Sequence, residues 1–103
     1  MPETAAVTFD YPGAAKVWPG CPDRFLQALR LYVEARLRPG AFVIACLEND
    51  LRAAVRVAAE ESYEALPHVV NVIDYFVPPH ACGSKEAVAQ WLRKSRKEAS
   101  HVR

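Results

Sequence analysis

Proline and glycine cut this chain into short segments, and that punctuation constrains its fold more than any other feature. Breaks fall at Pro12-Gly13, Pro19-Gly20-Cys21-Pro22, Pro39-Gly40 and Pro78-Pro79. Proline lacks the backbone N–H that a helix or sheet interior needs, so each break bounds an element. Between breaks the apolar residues recur at helical spacing. Phe25, Leu26, Leu29, Tyr32, Val33 and Leu37 share one face, and Arg24, Gln27, Arg30, Glu34 and Arg38 take the other. That pattern predicts a helix from Pro22 to Leu37, with Pro22 and Asp23 suited to its first turn.

The following segments extend the same reading. Ala41 to Leu47 is almost wholly apolar and is read as a short buried helix. Asn49 or Asp50 then caps a helix over Leu51 to Glu60, with Leu51, Val55 and Ala58 inward and Arg52 and Arg56 outward. Ser62 is read as the N-cap of a long helix to Val77, whose inward face is Leu66, Val69, Val70, Ile73, Phe76 and Val77. Pro67 threatens to kink or restart it. Ser84 caps a last helix with Val88, Trp91 and Leu92 as its apolar stripe. The fold expected is mainly α, a compact bundle of four to five helices over residues 21–103. Residues 1–20 form an arm. Ala6 to Tyr11 and Ala14 to Trp18 are two strand candidates around a Pro12-Gly13 turn, so the arm is either a β-hairpin or extended chain.

At 103 residues the chain suits one domain. A net charge of +1 gives no whole-molecule field toward nucleic acid or membrane. No apolar run approaches the ~20 residues that span a bilayer. Glu3 and Asp10 do not fit a secretory leader, and three cysteines without a CxxC pair suit free thiols in a reducing cytoplasm, with Cys46 in the core. Charge is nonetheless segregated. From Glu48 to Ser84 the acids are Glu48, Asp50, Glu60, Glu61, Glu64 and Asp74, against Arg52 and Arg56. From Lys85 onward the bases are Lys85, Arg93, Lys94, Arg96, Lys97 and Arg103, against Glu86 and Glu98.

Four kinds of chemistry compete for the polar residues. His80-x-Cys82, with Cys21 as a third ligand, falls short of the two spaced ligand pairs of a zinc site, so no metal or other cofactor is expected. Cys82 lies just ahead of a helix start and two residues from His80, which makes it the best candidate nucleophile, but no orienting third group is evident. Gly83-Ser84 opens a helix, where free N–H groups favour anions. Together with Asn49 it forms the candidate ligand site, although ordinary capping explains Ser84 more simply. Arg93 to Lys97 has the charge for phosphate contacts, but no nucleic-acid-binding signature accompanies it.

Arg38-Pro39-Gly40-Ala41-Phe42, then Cys46-Leu47-Glu48-Asn49-Asp50-Leu51 with Ala54, then Pro79-His80-Ala81-Cys82-Gly83-Ser84 with Val88 and Trp91, carry a resemblance. In this order they resemble a group of small bacteriophage- and prophage-encoded proteins of uncharacterised function. The resemblance spans Phe25 to Leu92 and omits the arm. Cys82 stands where that group often has an aromatic residue before the glycine. The resemblance implies a phage setting and no activity. Accessory proteins in that setting often bind host machinery, and inhibitors of bacterial immunity such as anti-CRISPR proteins are one class. The leading expectation is therefore a non-enzymatic, cytoplasmic inhibitor of a host protein or nucleoprotein complex, with homo-oligomers allowed. Its contact residues would be Glu48, Asp50, Glu60, Glu61 and Glu64. A small-ligand or anion-binding domain and a small Cys/His enzyme are the alternatives.

Overall fold

The computed structural model describes the backbone of residues 8–58 and 60–101, and the side chains of 8–58 and 62–93. Its helices are α1 (Tyr11–Val17), α2 (Asp23–Ala35), α3 (Ala41–Leu47), α4 (Leu51–Val57), α5 (Glu60–Phe76) and α6 (Lys85–His101), with a 3-10 turn at Pro79–Ala81. The mainly helical class expected of the sequence is what the chain adopts.

The organising element is α3. A helix that is apolar all round belongs inside a fold, and Phe42, Val43, Ile44, Ala45 and Leu47 are buried. It packs against α2, α4, α5 and α6. Its end is built by hydrogen bonds that only a left-handed residue allows. Asn49 takes φ 61°, its N–H donates to Cys46 O, and the Asp50 N–H reaches back to Ala45 O at 2.9 Å. This is a Schellman close with asparagine in place of glycine. Asp50 then starts α4, accepting the Ala53 N–H on Oδ1 at 3.1 Å. Ser84 caps α6 in the same manner, accepting the Ala87 N–H on Oγ at 3.1 Å.

Several local expectations are corrected. Pro12-Gly13 does not turn a hairpin and Ala14 to Trp18 is no strand, because both lie in or beside α1. Asp10 caps this helix by accepting the Gly13 N–H at 3.0 Å, and Pro12 sits in its first turn, where a missing N–H costs nothing. A Cβ on Gly13 would collide with Asp10 Oδ2, so the capping carboxylate needs the glycine. The first proposed strand falls partly on residues 6 and 7, outside the described residues. Phe9 and Ala14 join the common core, and the Phe9 N–H donates to Glu34 Oε2 at 2.9 Å.

In α4 the inward residue is Ala54, while Leu51 and Val55 are 65% and 39% exposed. The small alanine side chain lets this seven-residue helix lie close against α3, and that contact sets its rotation. Leu37 lies beyond the end of α2 and is exposed. Ser62 is not a cap but a buried residue within α5, which runs unbroken past Pro67. The face of α5 is rotated accordingly, with Ala65, Val69, Val72 and Ile73 buried and Val70 exposed. Cys46 is half-buried rather than in the core.

A polar lock joins α2 to α6. Tyr32 is fully buried and its hydroxyl donates to Ala81 O at 2.6 Å. The Trp91 indole N–H donates to Tyr32 O at 2.8 Å. Arg36, which ends α2 at φ 57°, lays its guanidinium 3.6 Å from the Trp91 ring centroid and donates from Nη1 to Trp91 O. A non-glycine residue in the left-handed region is strained, and these contacts hold it there.

Candidate functional site

The structure joins two of the segments that the sequence marks for ligand binding. The Gly83 N–H donates to Leu47 O at 2.7 Å, which sets the start of α6 against the end of α3. Gly83 takes φ 103°, a conformation that favours glycine, and so redirects the chain into the Ser84 cap. Lys85 Nζ lies 3.8 Å from Asp50 Oδ2 across the same junction. Asn49, Asp50, Gly83, Ser84 and Lys85 thus form one surface cluster. Its capping oxygens are committed to structure, however. Asp50 Oδ1 and Ser84 Oγ each hold a helix start, and Asn49 closes α3.

Of the acidic contact residues proposed from sequence, the three whose side chains are described differ in setting. Glu48 is the half-buried C-cap of α3, and Asp50 is half-buried in its capping role. Glu64 is exposed on α5. Glu60 and Glu61 lie in the first turn of that helix, and their side chains are outside the described ones. What periodicity alone missed is the outward surface of α5. Tyr63, Glu64, Pro67, Val70, Asp74 and Tyr75 are all exposed on this helix, Tyr63 by 58% and Tyr75 by 72%. The helix carries Glu60, Glu61, Glu64 and Asp74 and has no lysine or arginine. At its far end Tyr75 stacks on Trp18, with ring centroids 6.0 Å apart. The signal that could have found this surface is the run of acids and tyrosines at spacings that straddle the buried stripe.

The thiols are held in their neutral form. Burial pushes Cys21 and Cys46 up to about 11. Cys82 is raised first by burial and then by Asp74. Its Sγ–H faces the carbonyl of Pro78 at 3.7 Å, while His80 packs edge-on against Trp91 with ring centroids 5.3 Å apart. A protonated thiol turned toward a carbonyl is a poor nucleophile and a poor metal ligand. Among the described residues, no group of three His, Cys, Asp or Glu side chains converges as a metal site would need.

Two further features complete the surface. An open apolar groove of about 260 Å³ lies between the starts of α2 and α3, lined by Phe25, Ala28, Phe42 and Val43 among others. Among the described residues, no helix is long and apolar enough to cross a membrane. In comparisons with known proteins, no family model, no curated protein and no solved structure matches this chain.

Proposed function

We propose that this chain is a small accessory binding protein that inhibits a host protein or nucleoprotein complex, in the manner of phage-encoded anti-defence proteins. The observation that carries this reading is the outward face of α5, which combines exposed tyrosines with carboxylates on a helix without lysine or arginine. Tyrosine supplies large contact area at low entropic cost, and carboxylates complement a basic groove of the kind that holds nucleic acid. The phage setting comes from the resemblance described above, and a bacterial cytoplasmic location belongs to the same proposal. Thiols held in their neutral form favour stoichiometric binding over turnover. Of the five contact residues read from sequence, Glu64 belongs to this face, whereas Glu48 and Asp50 serve first as structural residues.

The small-ligand reading has one observation in its favour, the convergence of Asn49 and Asp50 with Gly83 and Ser84. Committed capping oxygens leave that site less to offer a ligand than α5 offers a partner.

The test begins by identifying a partner from bacterial lysate and measuring its affinity in solution. Reversing Glu60, Glu61 and Glu64 together should weaken binding far more than reversing Lys94, Arg96 and Lys97 together. Binding should also weaken as salt rises, because exposed charge contacts are screened. The opposite order of the two triple variants would move the contact to the C-terminal segment. Inhibition at far below one chain per target would reject the stoichiometric reading.

A further inference from the structure

The outward side of α5 carries a straight seam. Tyr63, Pro67, Val70 and Asp74 follow one another at intervals that alternate between four and three residues, and all of them are exposed. Such a series keeps to one line along a helix, here over about 16 Å. Tyr63 is 58% and Val70 37% exposed, so the line is apolar as far as Asp74, which closes it with a carboxylate. The spacing is the one by which two helices interlock side by side. Grouped apolar side chains in water mark a contact surface.

The polar groups along the seam set the chemistry of its occupant. Glu64 and Asp74 are exposed carboxylates on a helix that has no lysine or arginine. Pro67 adds a backbone acceptor. It has no N–H to give, so the Tyr63 carbonyl one turn earlier loses the donor that a helix normally supplies. A partner that covered this carbonyl without bringing a donor would bury an unmet polar group and lose affinity.

We propose that the seam of α5 receives a basic amphipathic helix of the partner protein. Its apolar stripe lies along Tyr63, Pro67 and Val70, and its lysines or arginines meet Glu64, Asp74 and the Tyr63 carbonyl. The proposal rests on the reading that α5 is the contact face and names the part of the host complex that fits there. Acceptors at both ends of the seam call for donors, and lysine and arginine side chains carry donors only. A second copy of α5 would set carboxylates against carboxylates, and like charges across an interface are costly. Nucleic acid is repelled for the same reason.

The test titrates a labelled synthetic peptide with the full chain and follows fluorescence anisotropy. The peptide is a helix of about two heptads, with leucines at the seam spacing and lysines elsewhere. It should bind. A peptide of the same composition with scattered leucines, and one with glutamates for lysines, should each bind at least ~tenfold more weakly. Val70→Lys and Glu64→Lys change exposed positions and should each weaken binding by about tenfold. Glu86→Lys makes the same charge change on the exposed start of α6 and should stay within about twofold. Unchanged melting curves will show that these variants fold. Pro67→Ala returns an N–H to the Tyr63 carbonyl and removes a helix-breaking residue, so it should not lower Tm, yet it should weaken binding by about threefold.

A lysine peptide that does not bind overturns the proposal. So do leucine arrangements that bind alike, an acidic peptide that binds as well, or an affinity left unchanged by Val70→Lys or Pro67→Ala. Self-association of the chain that Val70→Lys abolishes would give the seam to a second copy and overturn it equally. Failure here is distinct from failure of the host reading. A host complex still broken by reversing Glu60, Glu61 and Glu64, beside a peptide that does not bind, removes the basic helix and leaves the host contact standing.

Discussion

Replacing Tyr32 by phenylalanine tests the α2–α6 lock with the smallest available change. The ring is fully buried, and its hydroxyl donates to the carbonyl of Ala81, which is itself fully buried. Phenylalanine keeps the ring and its packing, including the contact with Trp91 at 6.3 Å between centroids. Only the hydroxyl is lost. A net hydrogen bond contributes about 1 kcal/mol, and a buried acceptor left without its donor costs roughly 1–3 kcal/mol more before relaxation. Phenylalanine is easier to bury than tyrosine and returns part of this. A destabilisation of about 2 kcal/mol is expected, which for a chain of this size lowers Tm by roughly 10 °C. Chemical denaturation and thermal melting should agree on the loss. Hydrogen exchange should accelerate at the 3-10 turn and the start of α6, since those are what the hydroxyl secures. Tyr75→Phe is the control, because Tyr75 is 72% exposed and its variant should stay within about 0.5 kcal/mol of wild type. A Tyr32→Phe protein as stable as the parent, with unchanged exchange at the 3-10 turn and α6, would refute the lock as a stabilising element.

Two further predictions concern capping and titration. Asp50→Ala should cost on the order of 1 kcal/mol through loss of the Ala53 cap, while Asp50→Asn keeps the capping oxygen and most of the stability. Equal melting temperatures for Asp50→Ala and wild type would remove Asp50 as the start of α4, and little is owed to Lys85, whose side chain is 72% exposed. Cys21 and Cys46 are raised from 9.0 to about 11 by burial, so the fold binds their protons more tightly than the unfolded chain does. Their contribution is complete below pH 9 and lost as pH climbs through 11. Denaturation midpoints measured across that range should fall, and Cys21→Ala should fall less steeply than the parent. A flat profile would contradict the burial of both thiols.

Local chemistry carried much of the fold. Proline and glycine placed the breaks, and the boundaries of α3 follow from them, because a short apolar run between Gly40 and Glu48 has no polar face to expose. The caps at Asp50 and Ser84 were legible because a short oxygen-bearing side chain satisfies the first free N–H groups wherever a helix starts. The helical periodicity of α2 was strong enough to name its buried residues, with Leu37 lost only because Arg36 turns the chain out of the helix. The acids of α5 were equally visible as a composition bias.

Tertiary structure decided the rest, through contacts between residues far apart in sequence. The proline–glycine pair that suits a hairpin lies instead in the first turn of α1, and Glu34 of α2 holds the chain ahead of it through Phe9. The rotation of α4 was illegible because a seven-residue stretch offers two competing faces. Close approach to α3 favours the one with the smallest side chain, against the hydrophobic ranking of Leu51 and Val55 over Ala54. Arg36, Tyr32 and Trp91 have no local signature of a shared role, since 55 residues separate Arg36 from the carbonyl it holds. A side chain's place on a helix is a local property that sequence records. Which helix packs against that face, and at what distance, depends on every other element, and here that choice also determined which apolar residues of α4 stayed exposed.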